Sequence, residues 1–338
     1  MLEQQTAQAT LPIEGAGTPG RQISITETYT PESDATLYHG DCLNLLASLP
    51  AASAQLVVTS PPYNIGKKYE GRRGKVTFED YLTGQKRVID AAMRVLRPGG
   101  SICWQVGNHV DDGAIYPIDS YLLPYFMAHE GVRMRNRIIW TFEHGLHCAN
   151  RFSGRYETIA WFTKGADYTF HLDPVRVPQK YPGKKYYKGP KVGQYSSNPL
   201  GKNPGDLWII PNVKHNHPEK TEHPCQFPVE LIERLVLSMT DPGDLVVDPY
   251  AGVASALVAA VRNGRRGAGA DLMEEYLAIG RDRIERAAAG TLPIREIGTP
   301  VYEPTPGMAI TRRPWEEGLA ENGHANGHDQ KPTTGPLL

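Results

Sequence analysis

The sequence has few cysteines, no long apolar run and almost no net charge. Its four cysteines, Cys42, Cys103, Cys148 and Cys225, are scattered and form no CxxC pair. This pattern fits a reduced cytoplasmic compartment and argues against a disulfide framework or a structural zinc site. No apolar run approaches the roughly 18 residues of a membrane span, and no signal peptide is evident at the N-terminus. We therefore expect neither a membrane protein nor a secreted one.

The size and the charge of the chain limit the number of domains and the kind of nucleic-acid surface that it can have. With 338 residues and 40% hydrophobic content, it can bury a sizeable core in one large domain or two. The net charge is -1, so a nucleic-acid footprint would have to be a local basic patch. Residues 1–33 lack hydrophobic periodicity and are predicted to be a flexible arm. Residues 291–338 are predicted to be a flexible tail.

The most informative stretch lies in the region 34–164, where a buried strand ends in two prolines. The apolar run Leu56–Val58 predicts the strand, and Pro61 and Pro62 must stop it because proline lacks an N–H and fixes φ. The turn holds Ser60 and Tyr63 beyond the carboxyl end of the strand, where open α/β sheets place their chemistry. The Ser60 hydroxyl and the Pro61 carbonyl can accept hydrogen bonds from an exocyclic amine. The Tyr63 ring can stack on the base that carries this amine.

The rest of this region alternates strands with helices. Apolar residues at helical spacing predict a helix over 78–96, which the sequence Arg97-Pro-Gly-Gly100 stops. Further strands are predicted at 101–106, 137–142 and 158–162, the last two as antiparallel neighbours.

Residues 165–220 contain eight prolines, which exclude long helices. Basic residues alternate there with tyrosines, a composition that suits phosphate neutralisation and base stacking. An irregular solvated insertion is the plainer alternative, although a long insertion in a compact chain is usually functional or disordered. The aromatic content argues against disorder. The candidate DNA-binding residues are Lys180, Lys184, Lys185, Tyr186, Lys188 and Lys191.

Residues 221–290 show a β–turn–α–β–α pattern typical of the front half of a Rossmann-like nucleotide site. The first strand ends at Asp248, a turn of small residues runs to Ser255, and the second strand ends at Asp271. An acid at that second strand end hydrogen-bonds ribose hydroxyls in such units. Because Ala254 takes the place of the second glycine, we expect a weaker pyrophosphate cradle and a cofactor without phosphates.

Several segments, in this order, resemble the DNA amino-methyltransferases. The catalytic motif of that family stands here as Ser60-Pro61-Pro62-Tyr63, and its cofactor motif stands as Asp248-Pro249-Tyr250-Ala251-Gly252-Val253-Ala254-Ser255. Its His-Pro-x-x-Lys-Pro segment stands as His223–Pro228, with Phe227 in place of lysine, and Gly40-Asp41-Cys42 also matches. The resemblance covers roughly residues 35–288.

The resemblance implies an α/β fold of the Rossmann-like, S-adenosylmethionine-dependent methyltransferase type. The catalytic motif precedes the cofactor motif, as in the circularly permuted β group, and the implied sheet is mixed and mostly parallel with helices on both faces. Residues 165–220 correspond to the target-recognition region. The implied cofactor is S-adenosylmethionine, with Asp271 at the ribose, Asp41 at the adenine amine and no metal. The implied cofactor residues are Asp41, Cys42, Asp248, Pro249, Tyr250, Gly252, Ser255 and Asp271.

The implied reaction is methylation of the exocyclic amine of a flipped-out base in double-stranded DNA. Ser60 favours N4 of cytosine, since the adenine-N6 enzymes usually carry aspartate at that position. Adenine and cytosine both present a ring acceptor beside the amine, so the chemistry leaves N6-adenine open. A cognate restriction endonuclease and a homodimer are also left open.

Two other classes of protein compete with this interpretation. One is a methyltransferase acting on RNA or a protein amide, and the other is a non-catalytic DNA-binding module that has kept the fold. Pro224-Cys225-Gln226 spells the nucleophile motif of cytosine-C5 methyltransferases, but it precedes the cofactor motif, so we expect a buried structural cysteine. His144, His147 and Cys148 lack a second pair at finger spacing and are expected to form a polar loop.

Overall fold

The computed structural model describes residues 22–63, 76–142, 145, 147–303, 305 and 308. The chain divides into two units between Thr299 and Pro300, and every described α-helix and β-strand lies in the first. In chain order these elements are β1 (Ile25–Thr26), β2 (Ala35–His39), α1 (Cys42–Ser48), β3 (Ala54–Thr59), α2 (Phe78–Val95), β4 (Leu96–Val106), β5 (Asn108–Asp111), β6 (Ala114–Pro117), α3 (Ile118–Met127), β7 (Val132–Thr141), β8 (Tyr156–Lys164), β9 (Leu207–Ile209), α4 (Val229–Met239), β10 (Leu245–Asp248), α5 (Ser255–Arg262), β11 (Arg266–Asp271) and α6 (Glu274–Ala288).

Among the described residues, nine strands form one mixed sheet in the order β1-β2-β11-β10-β3-β4-β8-β7-β9. Neighbours from β1 to β4 run parallel, β8 runs antiparallel to β4 and β7, and β9 runs parallel to β7. The predicted antiparallel pairing of β7 with β8 is therefore confirmed. Strands β5 and β6 form a separate hairpin.

Helices cover both faces of the sheet, as predicted. One buried cluster joins the sheet to α1, α2 and α3, and a second joins it to α4, α5 and α6. Strand β3 is buried along its whole length, which explains its unbroken apolar run, since a parallel strand covered on both faces has no solvent side. Helix α2 follows the predicted periodicity, and it begins where the Thr77 hydroxyl accepts the N–H of Asp80 (3.1 Å).

The position of the crevice follows from the connections of β3 and β10, which are neighbours in the sheet. Strand β3 leads through α2 to β4 on one side, whereas β10 leads through α5 to β11 on the other. Connections that leave two adjacent parallel strands in opposite directions open a crevice at their carboxyl ends. The two predicted halves of the site are distant in the chain, yet Val57 pairs with Val247. This is the permuted order expected from the sequence.

Both predicted terminal segments are partly packed against the sheet and its helices. Ile25 pairs with Ala35, so part of the predicted N-terminal arm is an edge strand. Residues 1–21 of that arm lie outside the described residues. At the other end, Ile294 packs on the core and the guanidinium of Arg295 forms an ion pair with Glu230. The predicted tail therefore departs from the body later than residue 291, because these contacts hold its first residues.

The segment predicted as a target-recognition insertion also divides. Its last part contributes β9, whose Trp208 is buried and whose indole ring lies 4.8 Å from the Arg234 guanidinium. Its middle forms an irregular hairpin over residues 177–202, which we call the basic hairpin, closed by the bridges Val177–Lys202 and Lys185–Tyr195. Within the described part of the chain, no helix is long and apolar enough to span a bilayer.

Candidate active site

A cavity of about 680 Å³ opens at the carboxyl ends of β3 and β10. This volume lies in the range of small-molecule sites. The cavity brings together all four residues of the predicted catalytic turn and seven of the eight predicted cofactor residues. The predicted residues in its lining are Ser60, Pro61, Pro62, Tyr63, Asp41, Cys42, Pro249, Tyr250, Gly252, Ser255 and Asp271.

The catalytic turn belongs to a connected hydrogen-bond network. Ser60 Oγ lies 3.0 Å from Tyr63 Oη, which donates to Glu157 Oε2 at 3.0 Å. Gln105 Nε2 donates to the same carboxylate oxygen at 2.6 Å and to Tyr63 Oη at 3.4 Å. Gln105 is near the end of β4 and Glu157 near the start of β8, and the antiparallel pairing of these strands brings both to the cavity.

Gln105 and Glu157 are not among the residues predicted from the sequence. Both could have been found as polar residues near one end of an otherwise apolar strand, at the same edge of the sheet as the catalytic turn. Burial raises the pKa of the Glu157 carboxyl, while Gln105, Tyr63 and the positive charge of Lys214 act in the opposite direction. Burial, followed by the negative charge of Glu157, raises the pKa of the Tyr63 phenol well above its ordinary value. Tyr63 is therefore a neutral hydroxyl that can both donate and accept.

Asp248 does not line the cavity, in contrast to its predicted place among the cofactor residues. It is fully buried, and its Oδ1 accepts the Thr59 hydroxyl (2.6 Å) and the N–H of Tyr250 (3.1 Å). Its Oδ2 is buried without a hydrogen-bond partner among the described residues. Burial raises the pKa of this carboxyl to about 7. Asp248 thus joins the end of β3 to the cofactor turn from inside the protein, because the last residue of β10 points inward.

The cofactor turn presents its backbone, small residues and Tyr250 to the cavity. The Gly252 N–H donates to Asp271 Oδ2 (3.0 Å), and Asp271 Oδ1 accepts the N–H of Met273 (2.8 Å). Gly252 has a φ of +51°, and a Cβ there would lie 3.2 Å from His223 Nε2. Glycine is therefore favoured for two reasons, backbone conformation and space.

Ala254 adopts the conformation of the glycine that it replaces, with φ +61° and ψ +33°. Its methyl group fits because Gly280 of α6 lies opposite, where an added Cβ would be 2.9 Å from the Ala254 Cβ. The alanine therefore keeps the left-handed backbone of the tight turn.

The predicted adenosine side of the cavity lies beyond β2 and β11. Asp41 caps α1 by accepting the N–H of Leu43 (2.8 Å) and stays exposed at the cavity. Burial raises the pKa of the neighbouring Cys42 thiol to about 12, so this thiol is neutral. Asp41 follows β2, and Asp271 is the last residue of β11, which runs parallel to β2. Their carboxylates are acceptors of the kind that ribose hydroxyls and an adenine amine require, and the tight turn at Gly252 admits close backbone approach. The residues present therefore fit a nucleoside cofactor.

The six predicted DNA-binding residues lie on the basic hairpin, and none of them lines the cavity. All six are exposed. Lysine ammonium groups lie over neighbouring tyrosine rings at 5.6 Å in the pair Lys180–Tyr181 and 5.0 Å in Lys185–Tyr195. The structure thus separates a basic, aromatic surface from the enclosed site.

The two other sites considered from the sequence have different outcomes. Cys225 is exposed and lines the cavity, so the expectation of a buried residue is wrong. It lies in the turn before α4, where its N–H donates to His223 Nδ1 (3.2 Å). His144 lies outside the described residues, and His147 and Cys148 belong to no metal-binding cluster within the described part of the chain.

Comparisons with known proteins agree with this geometry. A family model described as DNA methylase (N6_N4_Mtase) matches residues 54–282. The type II methyltransferase M.BglII of Bacillus subtilis is 50% identical over 244 residues, which cover 72% of this chain and 67% of that protein. The DNA adenine methyltransferase YhdJ of Escherichia coli is 30% identical over 259 residues, 75% of this chain and 83% of that protein.

Solved structures share the fold. The crystal structure of TTHA0409 from Thermus thermophilus, complexed with S-adenosyl-L-methionine, has a TM-score of 0.53 and 28% identity. The match covers 79% of this chain and 99% of that one. The predicted fold class is thereby confirmed.

Proposed function

Because this chain belongs to the DNA methylase family, as an S-adenosylmethionine-dependent DNA methyltransferase of the N4-cytosine or N6-adenine type, we propose that it methylates N4 of cytosine in double-stranded DNA. The observation that carries the proposal is the placement of Ser60-Pro61-Pro62-Tyr63 at a nucleoside-sized cavity. A target base is unreachable inside the duplex, so the nucleotide must be flipped into this cavity.

The reaction requires the protein to position a weak nucleophile. The lone pair of an exocyclic amine is delocalised into the ring, so the amine must be held for in-line attack. Ser60 Oγ and the Pro61 carbonyl accept the two amine hydrogens and favour a pyramidal nitrogen. The Tyr63 ring stacks on the base.

S-adenosylmethionine, when bound, supplies an electrophilic methyl group on a sulfonium. The residues that would hold it are Asp271 at the ribose, Asp41 at the adenine amine, and the turn at Tyr250 and Gly252. Support comes from the S-adenosyl-L-methionine complex of TTHA0409 and from the carboxylates at the ends of β2 and β11. No step of the proposal requires Cys225.

The choice of cytosine rests on Ser60, a neutral hydroxyl where adenine-N6 enzymes usually carry aspartate. N6 of adenine is the second candidate, which the similarity to the adenine methyltransferase YhdJ favours. Digestion of methylated duplex DNA to nucleosides, followed by mass spectrometry, distinguishes the products. We expect N4-methylcytosine. N6-methyladenine alone would overturn the choice of base, whereas 5-methylcytosine would overturn amine methylation and give Cys225 a direct role.

The basic hairpin is the proposed DNA-recognition surface, and it is tested separately from the cavity. Replacing Lys184 and Lys185 with alanine should weaken duplex binding and reduce the salt dependence, by roughly 0.9 in the log–log slope for each phosphate that is no longer neutralised. Arg286→Ala removes an exposed charge from α6 and serves as the control. A slope that does not change in the double variant would place the phosphate contacts elsewhere. The similarity to type II methyltransferases also supports a cognate restriction endonuclease as a partner.

A further inference from the structure

The Ser60 hydroxyl is one end of a hydrogen-bonded chain that finishes at a carboxylate. Both links of this chain, Ser60 Oγ to Tyr63 Oη and Tyr63 Oη to Glu157 Oε2, measure 3.0 Å. An ionised carboxylate can only accept hydrogen bonds, so the Tyr63 proton must point to Glu157. The Tyr63 oxygen is then an acceptor, and Ser60 must donate to it.

This direction of the hydrogen bonds determines what Ser60 presents to the cavity. A hydroxyl has one proton and two acceptor sites. Because its proton is committed to Tyr63, Ser60 offers only acceptor sites to a ligand. An amine brings hydrogens that can use these sites, whereas a carbonyl at the same position brings none. Glu157 therefore sets the polarity that an exocyclic amine requires.

We propose that Glu157 is the final proton acceptor of methyl transfer, acting on Ser60 through Tyr63. The proposal rests on the amine methylation proposed above. Methyl transfer forms an N–C bond from the amine lone pair, while the C–S bond breaks and leaves its electron pair on sulfur. The methylated nitrogen is then positively charged and must lose one proton.

The chain of three residues can remove this proton in one concerted shift. The amine proton passes to Ser60 Oγ, the Ser60 proton passes to Tyr63 Oη, and the Tyr63 proton passes to Glu157. Both hydroxyls end neutral, and the carboxylate ends as a carboxylic acid that solvent later deprotonates. Since Glu157 reaches the amine only through Tyr63, it is a positioning residue for the reacting group.

The surroundings of Glu157 suit this role. Gln105 of β4 donates to the same carboxylate oxygen (2.6 Å), which fixes the carboxylate toward Tyr63. Among the described residues, the charged and titratable groups that face the pair include Lys214, beside Glu157, and Cys225 and His109, beside Tyr63. Burial raises the pKa of Glu157, so its ionised form is reached at a higher pH than for an ordinary glutamate. The relay predicts a rate that rises with pH as Glu157 ionises.

The test is the single-turnover rate of methyl transfer to duplex DNA as a function of pH. Glu157→Gln keeps the shape of the side chain and removes its charge, and Tyr63→Phe keeps the ring and removes the hydroxyl. Each variant should lose about 100-fold in rate and lose the acidic limb of the pH profile. The double variant should be no slower than either single variant, because both substitutions break one chain.

Two matched control variants remove the same chemical groups, a carboxylate and a phenol hydroxyl, from residues that do not belong to the hydrogen-bonded chain. Glu130→Gln and Tyr121→Phe change exposed residues that do not line the cavity and should keep the wild-type rate and profile. S-adenosylmethionine affinity, measured by calorimetry, should be unchanged in Glu157→Gln and Tyr63→Phe.

The outcomes separate the relay from the proposed function. A Glu157→Gln variant that keeps the wild-type rate or the acidic limb overturns the relay. If Glu157→Gln does not bind S-adenosylmethionine, the relay is judged from Tyr63→Phe alone. An acidic limb that persists in the pH profile of Tyr63→Phe then overturns the relay. A wild-type protein that binds the cofactor but methylates no duplex overturns the proposed function itself, before any variant is compared.

Discussion

Two turns meet at the cavity, each after a buried parallel strand, and they use their side chains in opposite ways. The catalytic turn, Ser60–Tyr63, directs its hydroxyls toward each other and toward Glu157. The cofactor turn, Asp248–Ser255, directs its one carboxylate into the protein and exposes its backbone, Tyr250 and several small residues to the cavity. Both turns begin with a polar residue followed by proline.

The difference teaches that similar local sequences can serve chemistry in one place and geometry in another. At the catalytic turn, the proposed reaction needs particular oxygen atoms as hydrogen-bond acceptors, so its function depends on the identity of each side chain. At the cofactor turn, function depends on positive φ angles and on small residues. The Thr59–Asp248 hydrogen bond (2.6 Å) ties the two turns together. Substitutions at the catalytic turn should change rate, and those at the cofactor turn should change binding or stability.

The strongest test of this division is Ser60→Ala. We expect turnover to fall by on the order of 100-fold or more, because the amine loses its hydrogen-bond acceptor and its route to Glu157. S-adenosylmethionine affinity should stay unchanged, since the proposed contact of Ser60 is with the target amine. Single-turnover kinetics and titration calorimetry measure the two effects separately. A large loss of cofactor affinity in this variant would break the division between the turns.

Asp271→Ala should show the opposite pattern. Removal of the carboxylate takes away the proposed partner of the ribose hydroxyls and frees the N–H of Gly252. We expect S-adenosylmethionine binding to weaken by ~1–3 kcal/mol. Calorimetry measures the loss, and Asp282→Ala, which changes an exposed carboxylate of α6, is the control. Unchanged affinity would refute the assignment of Asp271 to the ribose.

Asp248→Asn tests whether the inward carboxylate acts on stability. Burial raises its pKa from 3.8 to about 7, so between these values the folded state holds a proton that the unfolded state has lost. The free energy of unfolding of the wild type should therefore fall, relative to the variant, as the pH rises through this window, by about 1 kcal/mol per pH unit. Urea unfolding at several pH values measures the difference.

The control for this prediction is Asp282→Asn, which changes an exposed carboxylate of α6. A difference for Asp248→Asn that varies with pH no more than the difference for this control would mean that Asp248 is ionised in the folded state with an ordinary affinity for its proton. Its role as a buried link between the turns would then need another explanation.

The catalytic turn could be predicted from the sequence because its causes are local. A β-branched run followed by Pro61 and Pro62 must end as a strand, whatever surrounds it. The carboxyl ends of parallel strands share one edge, which is enough to bring Ser60 near Asp271. The parallel β–α–β connection also predicted the order of the cofactor half.

Glu157 and the direction of Asp248 could not be predicted, since both depend on distant contacts. Glu157 reaches the cavity through the register between β8 and β4, in which Gln105 pairs with Ile159, and no local pattern encodes that register. Asp248 lies at a strand end where the side chain can point to either face, and Thr59 of the neighbouring strand decides which.

The smallest effect is expected from Ala254→Gly, which tests whether this position keeps a glycine backbone. At φ +61° an alanine is strained by about 1–2 kcal/mol, which glycine relieves. The glycine loses a buried methyl group worth about 0.8 kcal/mol and adds about 0.4–1 kcal/mol of unfolded-chain entropy. These terms nearly cancel, so the free energy of unfolding should change by less than ~1 kcal/mol.

The matched control is Ala256→Gly, which changes an equally buried alanine inside α5. This alanine has no strain to relieve, so its replacement should lower the free energy of unfolding by about 1–2 kcal/mol more than Ala254→Gly does. Equal losses in the two variants would show that Ala254 is not strained and that the cofactor turn holds its shape through packing alone.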